Sequence, residues 1–168
     1  VALGFASSKD SFGLERLYPL LADPVDDVRG AAAFAIGQIG HASSTSYLLD
    51  AFSSNDSLRE FNTANSQILE AVGKCGDTPE LVSLATVTTY NEKDSLLLLG
   101  QTRGIYRFAL RNIIDHKGTQ LMLKYAQDNK YPDGVRVMAA QYLHRAKGIE
   151  IDSSIASVCA MIKAEPNP

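Results

Sequence analysis

Three arginines, Arg103, Arg107 and Arg111, recur every four residues with Tyr106 beside them. On a helix each such step turns by about 40°, so the three form one slowly drifting basic stripe. A guanidinium presents a planar fork of donors that matches the two oxygens of a carboxylate. The stripe could therefore hold an acidic peptide, or it could be a solvated face paired with Glu70 or Glu92. Asn62, Ser66 and Glu70 repeat the same spacing one helix earlier. Gln38 with Phe34, and Gln141 with Tyr142 and Arg145, mark equivalent edges before and after them. Mixed polar and aromatic side chains on one face suit peptide recognition. Phe34 and Tyr142 also fit ordinary core positions.

Catalytic arrangements are missing. The histidines are His41, His116 and His144, and none has a ligand type at helical metal spacing. His41 and His116 are read at helix-ending turns, where a cation offsets the C-terminal dipole. Asp26 and Asp27 fall in the first turn of a helix, so dipole stabilisation explains them better than acid–base work. Gly37-Gln-Ile-Gly40 lacks the further glycine and lysine of a phosphate loop. No Gly-x-Ser-x-Gly elbow occurs. Asn55-Asp-Ser57 fits a glycosylation acceptor, a short pattern with many chance matches. Cys75 and Cys159 sit in apolar helical patterns and read as small buried hydrophobes. The expectation is a non-enzyme with no cofactor and no metal.

The 168 residues suit one domain, and a chain this long buries a core without a disulfide or metal. A net charge of −3 argues against a nucleic-acid partner. No apolar run reaches the length of a membrane span, so no membrane insertion is expected.

The positioning elements are helices that recur. Ala71-Val-Gly-Lys-Cys-Gly76 restates Ala35-Ile-Gly-Gln-Ile-Gly40 36 residues later, and Ala2-Leu-Gly4 precedes Ala35-Ile-Gly37 by 33. Pro132-Asp-Gly-Val-Arg136 echoes the block from Pro24. Such periods indicate stacked two-helix repeats. Val1 to Ala6 reads as the tail of a helix begun earlier. First helices are expected over Phe12–Ala22, Ser44–Phe52, Pro79–Tyr90 and Gly118–Asn129. Second helices are expected over Val25–Ile39, Ser57–Cys75, Asp94–Ile114 and Pro132–Lys147, with a last helix over Ser153–Lys163. The repeats then span about 7–41, 42–77, 78–116 and 117–149, with a half repeat at 150–168, all in one domain. Asp23-Pro24 and Thr78-Pro79 read as cap and first-turn proline. Gly40, Gly76 and Gly148 follow helix ends, where positive φ is favoured. Ala31, Ala32, Ala33 and Ala35 allow close helix approach.

Asp23, Val28, Arg29, Ala32, Ala35, Ile36, Gly37, Ile39 and Gly40 resemble the HEAT-repeat consensus. The resemblance implies an all-α, right-handed α-α superhelix of about four to five helical hairpins, an armadillo-like solenoid. It implies a scaffold that binds a protein or peptide on a concave surface lined by the second helices. It also implies an Asp–Arg ladder between repeats, onto which Asp23 and Arg29 map. Arg59 and Arg136 are further arginine candidates, but Ser53 and Lys130 hold the aspartate positions. Bacterial arrays of this kind occur within larger proteins, some with a peptidyl-prolyl isomerase domain, so a spacer role is the alternative. HEAT-like bilin lyases and DNA glycosylases are the enzymatic readings. The chain has no tryptophan and a net negative charge, which disfavour the glycosylase.

Overall fold

A computed structural model describes residues 13–58, 60–87 and 90–146. The expected helices at Val1–Ala6 and Ser153–Lys163, and the residues Arg59, Gly148 and Cys159, lie outside the described residues. Among the described residues there are eight α-helices and no strand. They are α1 (Leu14–Leu17), which runs on as a 3-10 turn over Tyr18–Ala22, α2 (Asp26–Ile39), α3 (Ser44–Leu58) and α4 (Asn62–Cys75). Then follow α5 (Thr78–Thr86), α6 (Ser95–Leu110), α7 (His116–Gln127) and α8 (Asp133–Arg145). None of these is long and apolar enough to cross a membrane.

The apolar period decides what each helix buries. Leu14, Leu17 and Leu21 are buried under the first turns, as are Ala32, Ala35 and Ile36 of α2. Consecutive helices pack as pairs, α3 on α4, α5 on α6 and α7 on α8, and the 3-10 turn packs on α2. The even-numbered helices also pack in chain order, α2 on α4, α4 on α6 and α6 on α8. Between them residues face partners 34 or 35 positions later: Gly30 meets Ala64, Gly37 meets Ala71, Ser66 meets Gly100, Leu69 meets Gly104, and Leu99 meets Gly134. A constant register means that the even helices run parallel. Small residues at these crossings let the backbones touch.

The helix ends depart from expectation in instructive ways. In the second pair the extra length belongs to α3, which reaches Leu58, and α4 starts only at Asn62. The expected start at Ser57 is therefore too early, and the cap comes from another helix. The Asp26 carboxylate accepts the Thr63 and Ala64 amides at 3.1 and 2.8 Å. Phe61, at the N-cap position, has no capping side chain of its own. Asp26→Ala should therefore cost about 1–2 kcal/mol. Urea denaturation checks this, and an unchanged midpoint would mean that water serves those amides as well.

Other boundaries shift for local reasons. Pro24 and Pro132 lie just before their helices. Asp77, not Thr78, caps α5, forming a capping box with Glu80. Gly40 has the expected positive φ of 73°. Gly76 is extended, with φ −77° and ψ 178°. It is small for another reason, since a Cβ there would stand 2.9 Å from that of Glu80. Asn112, at φ 62°, stops α6 short of Ile114. The Ile113 and Asn112 amides return to the Phe108 and Ala109 carbonyls, as in a Schellman motif. His116 begins α7 rather than ending a helix.

Candidate functional site

The stripe on α6 faces partly toward α4, and its three arginines do three different things. Arg107 donates from Nε and Nη2 to Oε1 of Glu70 at 3.0 and 2.8 Å. Lys74 reaches the same oxygen from one turn away, at 3.2 Å. Glu70 is 8% exposed. Burial pushes its carboxyl upward, but the Lys74 charge and the Arg107 hydrogen bonds outweigh that and leave it below its ordinary value.

A group depressed on folding adds stability above its unfolded pKa and loses it as pH falls through the folded one. Arg107 is 39% exposed, so water screens part of the attraction. Glu70→Gln should cost about 1–2 kcal/mol at neutral pH. The difference from wild type should shrink once pH drops well below 4.5, the ordinary value. Equal gaps at both pH values in chemical denaturation would contradict the pairing.

Arg111 secures the other end of α4. Its Nη1 donates to the carbonyls of Gly76 and Gly73 at 2.6 and 3.3 Å, and Nη2 lies 3.8 Å from Asp77 Oδ1. A cation there satisfies orphan carbonyls and offsets the helix dipole. Helix α4 is thus held at its start by Asp26 of α2 and at its end by Arg111 of α6. Arg145 repeats the reach one helix on, donating to Asn112 Oδ1 beyond the end of α6, at 3.2 Å.

Arg103 is half-buried and has no acidic partner within ion-pair distance among the described residues. Leu99 meets Gly134, an offset of 35, so one and two turns further along these parallel helices Arg103 and Arg107 come level with the stretches of α8 at Val137–Met138 and Gln141–Tyr142. Tyr106 is half-buried on the same face. Arg103, Tyr106, Arg107 and Gln141 therefore come together, with Arg111 and Arg145 at the C-terminal edge of that surface.

The remaining expected residues divide. Asn62 is exposed at the start of α4. Ser66 is 3% exposed against Gly100, which takes it off the surface. Glu70 is likewise buried in its ion pair. Gln38 is half-buried on α2 and belongs to the far end of the row. Phe34 is half-buried with Lys74 over its ring at 5.2 Å. Tyr142 is fully buried, its hydroxyl 2.8 Å from that of Thr119.

At the expected ladder, Arg29 does not meet the Asp23 carboxylate. It donates to the Asp23 carbonyl and to Asn55 Oδ1 of α3, and it lies 3.7 Å over the Phe61 ring. The Asp23 carboxylate accepts the Val25 amide at 2.9 Å instead. Arg29 thereby holds both ends of the α3–α4 connection. Asn55 is fully buried inside α3, which removes it as a glycosylation acceptor.

Sequence reasoning missed Gln101. Its amide, fully buried, donates to the Leu84 and Val87 carbonyls at 2.7 Å each. It accepts from the Tyr125 hydroxyl at 2.8 Å. The residue lies on the apolar face shared by Leu97, Ile105 and Phe108, and a polar side chain there was the available signal. Burial pushes the Tyr125 phenol up, with the nearby Tyr131 adding to it, so it stays a donor. Burial likewise raises the Cys75 thiol to about 11, too high for a ready thiolate.

Among the described residues no group of three His, Cys, Asp or Glu side chains could hold a metal ion. A shallow groove of about 210 Å³ opens between α2 and α4, beside Asp27, Phe34, Thr63 and Gln67. No protein-family model matches this chain, and no curated protein matches it significantly.

Proposed function

We propose that the chain is a HEAT-like solenoid of stacked helical pairs, wound as a right-handed α-α superhelix, and that it acts as a non-catalytic scaffold. Its partner is a protein or peptide, bound on the face built by the even helices. The constant 34-to-35-residue register between those helices supports the solenoid. So do their ends at Ile39, Cys75, Leu110 and Arg145, which recur every 35 or 36 residues. Each pair buries its apolar side only by stacking on the next.

One observation carries the binding role. The even-helix face leaves large aliphatic side chains in water, with Leu96 42% exposed on the helix that carries Arg103 and Tyr106 and Val137 56% exposed on the helix packed against it. Apolar area rimmed by polar and aromatic groups is the composition of a recognition surface.

A photo-crosslinking residue placed at Gln141 in the full-length protein, in its native cells, tests this reading. Gln120, exposed on α7 at the odd-helix side, is the control. Discrete protein adducts from Gln141 and none from Gln120 are expected. Adducts only from Gln120, or none from either, would refute the assignment of the face.

A further inference from the structure

We infer that the segment seated across α6 and α8 carries a carboxylate flanked by aliphatic side chains. This rests on the reading of the even-helix face given above and adds the chemistry of the partner. Leu96, Leu99 and Arg103 follow one another at helical spacing on α6, so they share a face. Leu99 packs toward Gly134, and Val137 stands one turn further along α8. The parallel course then brings Arg103, one turn beyond Leu99, level with Val137 and Met138, so that it adjoins the apolar strip on both helices.

No segment can cover Leu99 and Val137 without also covering Arg103. Among the described residues no carboxylate forms an ion pair with Arg103, and Asp133 at the start of α8 is exposed to water. Glu70 is held by Arg107 and Lys74. Asp133 lies 3.6 Å from Arg136. Burying the Arg103 guanidinium without a counter-charge would oppose binding, because a charge removed from water must be paired. A partner carboxylate solves this with a fork-to-fork pair, which strengthens as water leaves the site. A basic segment fails at this residue, and a neutral one can offer only carbonyls, which leave the charge unneutralised. The occupant is therefore an acidic amphipathic stretch, not a basic one.

Selection from a random twelve-residue peptide library on the immobilised full chain tests the inference. Winning peptides should carry Asp or Glu between aliphatic residues. Synthetic winners should bind Arg103→Glu roughly tenfold or more weakly, and replacing their acid with Lys should restore binding to that variant. Arg103 has no acidic partner to lose, and circular dichroism verifies that the variant remains helical. Val137→Asp provides a second, independent lesion, and it should weaken the same peptides. Winners without an acidic bias that still respond to Val137→Asp would overturn the acidic partner and leave the face intact. Winners indifferent to both substitutions, or no enrichment at all, would overturn both.

Discussion

Gly104→Ala should lower stability by about 3 kcal/mol or more, a fall in Tm of roughly 6–12 °C. The cause is a collision between backbones. A Cβ on Gly104 would lie 2.3 Å from the Leu69 carbonyl oxygen and 2.7 Å from a Leu84 methyl. Gly73 meets Gly104 from the other side, where an added Cβ would stand 2.1 Å from its carbonyl oxygen. The Leu84 methyl can turn aside, but the Leu69 and Gly104 carbonyls are backbone, so α4 and α6 must separate to make room. That separation would also stretch the Arg107–Glu70 pair and the hold of Arg111 on α4.

Gly134→Ala is the matched control. Its Cβ would meet only a Leu99 methyl, at 3.8 Å, which is ordinary contact. Alanine is also the better helix former by up to about 1 kcal/mol, so this variant should be neutral or slightly stabilised. Calorimetry of the two variants decides the matter. Equal losses, or a harmless Gly104→Ala, would show that the α4–α6 contact is looser than described.

Gln101→Leu should cost about 3 kcal/mol, although it exchanges a polar residue for an apolar one in a core. The amide serves three partners at once: two carbonyls at the end of α5 and the Tyr125 hydroxyl on α7. Removing it strands a buried donor and buried acceptors, each at about 1–3 kcal/mol. Adding Tyr125→Phe removes the stranded donor, so the double variant should recover part of the loss. A double variant no better than Gln101→Leu alone, in equilibrium unfolding, would mean that the hydroxyl finds another partner. The side chain clamps α5, α6 and α7 together, the part of the chain where α5 is only nine residues long.

Much of the architecture was written in local pattern. The apolar period gave the helices, and the repeated Ala-x-Gly block marked the second helices and the small residues at their crossings. Those features are short-range consequences of side-chain volume and backbone freedom. Gly40 could be placed at a positive φ because its signal is local.

What the sequence left open were matters settled between helices. The cap of α4 comes from Asp26 on another helix, which nothing local signals, so the expected start at Ser57 was too early. The arginine stripe was legible as a row, but its division into an ion pair, a helix cap and one guanidinium without an acid depends on which atoms of α4 lie opposite. Ser66 and Glu70 share the spacing of Asn62, yet only Asn62 reaches water, because Gly100 and Gly104 draw α6 down over that side of α4. Gln101 could be seen as polar on an apolar face, but its partners sit on two other helices. Local chemistry determines helix and register. Which polar groups find partners, and which stay in water, is decided only when the backbones of neighbouring pairs come into contact.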